Sequence, residues 1–151
     1  MELKNFDALV LVHPDLDTIH NPIPFHFNYR ENLEKYIKLF LSLNKKIFAP
    51  DPDWLSTSLN KLNPEYFVPK FKEDFRIDLT HQKQIDFISE KINKKPPQII
   101  LAFGGLWANA CVYAYATSWC KEVITDYLGD FKVPRYPPNP IKLGVVLNDI
   151  V

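Results

Sequence analysis

The sequence predicts an α/β fold of three layers, with helices on both faces of a largely parallel sheet. Two short apolar runs, ALVLV at 8–12 and QIILAF at 98–103, read as strands, and the first, unbroken by polar residues, as one buried on both faces. Between and after them, apolar residues recur at helical spacing, so strands alternate with helices and need crossover connections. At 151 residues, 46% hydrophobic and 14% aromatic, the chain is long enough to bury a core and reads as one domain over 1–151.

Each element has its own signal. His13-Pro14 ends the first strand, and HNPIPFHF at 20–27 is a loop. Asn28 stands three residues before Glu31, a helix-start signature. Leu33, Tyr36, Ile37, Phe40 and Leu41 then carry that helix to about Asn44. KKIFAP at 45–50 predicts a short second strand, halted by the proline of the DPDW loop, and EYFVPKF at 65–71 a third. Ile85, Ile88 and Ile92 predict a helix over 78–93, with Asp78 or Thr80 as its cap. QIILAF is then the fourth strand, and the glycine pair Gly104-Gly105 a tight turn after it. An alanine-rich helix over 107–127 follows, then a proline-stiffened connection, VPRYPPNP, and a last strand in IKLGVVLNDI.

Eighteen basic and eighteen acidic residues cancel, which disfavours nucleic acid and an anionic membrane surface as partners. Two cysteines are too few for a disulfide framework, and Cys111 and Cys120, nine apart in one predicted helix, could not bridge. The apolar run near the N-terminus is too short for a signal core or a membrane span, so a reducing, cytoplasmic location is expected.

In parallel sheets the ligand crevice lies beyond the carboxyl ends of the strands. Those ends carry His13, Asp15, Asp51, Asp53, Lys70 and the stretch GGLWANACV at 104–112. A cysteine in the first turn of a helix meets unpaired N–H groups and the positive end of the dipole, which favour a thiolate. Cysteine is equally at home as a small buried hydrophobe among alanines. Residue type and spacing leave both readings open.

The order of elements and the residues at this edge resemble the isochorismatase-like hydrolases, the family that includes nicotinamidases and has a Rossmann-like α/β fold. The family's signature turn is Gly-Leu/Val-x-Thr-x-x-Cys-Val. Gly105, Leu106, Cys111 and Val112 match it, and Ala108 stands where the family has threonine. Lys70 in YFVPKFKEDF occupies the place of the family lysine. His13 in ALVLVHPDLD aligns with the family aspartate, with Asp15 and Asp17 close behind. The metal-binding Asp-x-His stretch is approached by Asp53-Trp54, but Leu55 replaces its histidine. No resident metal or other cofactor is therefore expected.

The resemblance implies that Cys111 attacks a carbonyl carbon, with His13 or Asp15 taking the thiol proton and Lys70 opposing the thiolate charge. Backbone N–H groups about Ala110 and Cys111 would steady the oxyanion. Trp107, Trp54 and Phe25 would wall a pocket for a small, ring-shaped amide or ester. The departures at His13, Ala108 and Leu55 equally suit a catalytically silent domain that binds a partner or small molecule. Tyr113, Tyr115 and Trp119 present more aromatic surface than one buried face needs, which predicts a homo-oligomer through the 107–127 helix. A flavodoxin-like or nucleotide-binding sheet lacks its phosphate-cradling glycine pattern here.

Overall fold

The computed structural model describes residues 2–12, 29–50, 68–69, 77–105, 111–125 and 137–147. Five strands run parallel: β1 (Ala8–Val12), β2 (Lys46–Phe48), β3 (Ile100–Gly105), β4 (Cys120–Ile124) and β5 (Ile141–Val146). Their order across the sheet is β2-β1-β3-β5-β4. Among the described residues three α-helices accompany them, α1 (Tyr29–Ser42), α2 (Ile77–Ile92) and α3 (Cys111–Trp119).

The layers follow from alternation along the strands. Leu9 and Leu11 of β1, Ile47 and Ala102 pack under Leu33, Ile37 and Phe40 of α1 on one face. Ala8, Val10, Val12, Phe48, Leu101 and Phe103 point the other way, toward Ile85 and Ile88 of α2 and Val112, Ala116 and Trp119 of α3. All five residues of β1 are buried, as expected for a strand covered on both sides. The α/β layering read from the unbroken apolar runs is therefore the observed one.

Both long helices stop at an asparagine. Asn44 and Asn93 take left-handed φ values of 56° and 61°. The following amides, of Lys45 and Lys94, donate back to the carbonyls of Phe40 and Ser89, five residues earlier, at 2.9 and 3.2 Å. Asparagine tolerates this conformation, and the back-bond satisfies a carbonyl that the helix leaves open. At the start of α2 the expectation fails: the helix begins at Ile77, so Asp78 and Thr80 lie inside its first turn and neither caps it.

Three further expectations are corrected. Gly104 and Gly105 do not form a turn; they are the last two residues of β3, paired with Leu11 and Val12 of β1. The helix predicted over 107–127 ends at Trp119, and Cys120 opens β4 without an intervening loop. In CKEVI the charged pair Lys121-Glu122 is tolerated because β4 is an edge strand with both residues exposed. Finally, Trp119, counted with the surface aromatics of this helix, is fully buried, while Tyr115 is half-buried and packs edge-on against it at 5.3 Å. Of the strand read over 65–71, only Val68 and Pro69 are described, and they carry no strand assignment. No helix among the described residues is long and apolar enough to cross a membrane.

Candidate active site

The strand order places a reversal at the centre of the sheet. From β1 the chain moves by α1 to β2 on one side, then by α2 back past β1 to β3 on the other. Between β1 and β3 the crossovers change direction, and the carboxyl ends of such a pair flank the crevice of an open α/β sheet. Val12 and Gly105 are the last register pair there. Gly105 has φ 122°, and a Cβ on it would collide with the Val12 carbonyl oxygen, so this position requires glycine. The two strands close tightly at their ends for that reason.

Six residues beyond Gly105, α3 begins at Cys111. Its buried stripe is Val112, Ala116 and Trp119, which faces the sheet. Cys111 precedes that stripe by one residue and is exposed. Its backbone amide belongs to the first helical turn, where N–H groups have no carbonyl inside the helix. The second cysteine is unlike it. Cys120 is buried against Phe103 and Gly144, and burial pushes its thiol far up from the ordinary cysteine range. Both are free, although the single-helix geometry that predicted this does not exist.

The wall beside α3 is tied together by one buried amide. Gln84 of α2, 7% exposed, accepts from the Trp119 indole N–H at 3.2 Å, and its own amide group donates to the Pro69 carbonyl at 3.5 Å. The Val68 amide donates to the Ala49 carbonyl at 3.1 Å, just past the end of β2, and the Val68 side chain is buried in the core on the α2 and α3 face. The chain entering Lys70 is thus anchored to the sheet and to α2. Sequence reading passed over Gln84. Its signal was a polar residue at position 84, four residues before Ile88, on the apolar stripe of a predicted helix.

Of the residues expected to form the site, Cys111 alone is among those described. His13, Asp15, Phe25, Trp54, Lys70, Trp107 and Ala110 lie outside the described residues. Their sequence neighbours are placed: His13 follows Val12 at the end of β1, Lys70 follows Pro69, and Ala110 precedes Cys111. Among the described residues no three His, Cys, Asp or Glu side chains gather as a metal-ligating group.

No family model, curated protein or solved structure matches the chain. A thiol on a helix's first residue, beyond the central strand at the crossover reversal, can present a nucleophile to a ligand in the crevice.

Proposed function

We propose that the chain is a divergent isochorismatase-like cysteine hydrolase acting on an amide or ester of a small molecule. The observation that supports this reading is the position of Cys111, exposed on the first residue of α3 beyond the β3 end. A cysteine filling the core would instead lie under the helix, as Cys120 lies under the sheet edge.

In the proposed reaction His13 or Asp15 accepts the Cys111 proton, and Lys70 opposes the resulting negative charge. The thiolate adds to the substrate carbonyl, and the helix-start amides hold the oxyanion. Collapse expels the amine or alcohol, which takes up the proton, and leaves a thioester on Cys111. Water attacks the thioester, releasing the acid and restoring the thiol.

The test is native-state alkylation with iodoacetamide across pH, followed by mass spectrometry of the Cys111 and Cys120 peptides. The proposal expects Cys111 to be alkylated faster than a free cysteine thiol under the same conditions, and expects Lys70→Ala or His13→Ala to slow it. Labelling of Cys111 no faster than a free thiol would overturn the hydrolase reading and leave the silent binding domain in its place. An activated thiolate would be followed by hydrolysis assays on small aromatic amides and esters.

A further inference from the structure

The net charge of zero hides a segregation that the fold produces. All five strands begin at one edge of the sheet, and the segments that lead into them are rich in lysine. Residues 2–7, 43–46, 90–98, 121–122 and 139–142 hold eight lysines, no arginine and four carboxylate side chains, an excess of four positive charges. The rest of the chain carries the balancing negative excess. With a Debye length of about 10 Å at 0.1 M salt, the field at this edge is set chiefly by the charges gathered on it. The lysine edge therefore presents its own field to a partner.

Part of this charge has structural work. Lys45 donates to the carbonyls of Lys4 and Phe6 at 2.9 and 2.6 Å. Lys94 pairs with Asp7 at 2.9 Å, Lys4 with Glu2 at 3.0 Å, and Lys91 lies 5.6 Å from the Phe87 ring centre. The carboxyl ends of α1, α2 and α3 also reach this edge, and at about −0.5 charge each they offset about 1.5 of the excess, leaving about +2.5. Lys46, Lys95, Lys121 and Lys142 have no such partner among the described residues. Lys46 begins β2, Lys95 leads into β3, and Lys142 and Lys121 are side by side on β5 and β4. They thus run from one side of the sheet to the other, over four strand spacings or about 19 Å.

We infer that this lysine-lined edge binds the phosphodiester backbone of a nucleic acid strand without reading its sequence. A row of ammonium groups matches a linear array of phosphates. The lysines are compact point charges and carry no bidentate fork for base edges. The inference is independent of the Cys111 reading.

The experiment is fluorescence anisotropy of a labelled 20-nucleotide oligo(dT) with the full chain, starting at about 20 mM salt and rising to about 200 mM. Neutralising four phosphates on a single strand predicts a log-log salt slope near −3, since each contributes about −0.7. The Lys95→Ala, Lys121→Ala, Lys142→Ala triple variant changes only exposed side chains, and is expected to bind at least tenfold more weakly with a slope near −1. An unchanged circular dichroism melt will show that it folds. Absence of binding at the lowest salt overturns the inference, as does equal binding by the variant. Binding to vesicles containing phosphatidylserine without binding to the oligonucleotide overturns it as well, and assigns the edge to a membrane surface.

Discussion

Replacing Gly144 with alanine tests the packing that joins the edge strand to the centre of the sheet. Gly144 lies on β5 between Leu101 of β3 and Val123 of β4. A Cβ there would stand 2.8 Å from the Cys120 sulfur and 2.8 and 3.3 Å from two carbons of the Phe103 ring. Two opposing terms decide the sign. Loss of glycine's freedom in the unfolded chain favours alanine by about 0.4–1 kcal/mol. Overpacking a filled core costs about 1–3 kcal/mol. Neither neighbour can retreat easily, because Phe103 and Cys120 are buried and the Phe103 ring packs 6.1 Å from Trp119. The overpacking term therefore prevails, and Gly144→Ala is expected to destabilise by about 0.5–2 kcal/mol, measured as a lower urea midpoint at unchanged slope. Adding Cys120→Ala removes the sulfur, so the double variant should lose less than the two single losses together, by about 0.5 kcal/mol or more. A Gly144→Ala protein more stable than the parent would refute the close approach.

Two further outcomes are expected. Trp119→Phe should cost about 1–3 kcal/mol in urea unfolding, because it leaves the buried Gln84 carbonyl oxygen without its indole donor; adding Gln84→Leu should recover part of the loss by removing the stranded amide. The raised Cys120 pKa favours the protonated thiol in the folded state, so its contribution to stability is whole below the unfolded pKa of about 8.5 and declines above it by up to about 1.4 kcal/mol per pH unit. Comparison of the parent with Cys120→Ala between pH 7 and 10 isolates that slope; equal pH dependence in both would contradict the burial of the thiol.

Much of the fold was legible because burial on both faces leaves a mark that needs no partner to be read. ALVLV is such a mark, and the observed strand occupies those five residues. The isoleucines at 85, 88 and 92 likewise placed α2, although its start was misjudged because Asp78 and Thr80 suit a first turn as well as a cap. The candidate site was legible at Cys111, where a glycine-rich strand end gives way to a helix.

What the sequence determined by itself is therefore the α/β class, a first strand buried on both faces, and the expectation of a cysteine at a helix start beyond the fourth predicted strand. These are local properties, since apolar periodicity and glycine placement are set within a few residues. Tertiary structure decided the rest. Gly104 and Gly105 stay in β3 because Val12 lies beside them, a neighbour some ninety residues away. The helix predicted over 107–127 breaks at Trp119 because β5 offers CKEVI a strand partner, and hydrogen bonding across chain segments outweighs alanine-rich helix propensity. The same assembly gathers lysines from five separated segments onto one edge. A net charge of zero is a sum along the chain, whereas the field a partner meets depends on where the fold puts each charge.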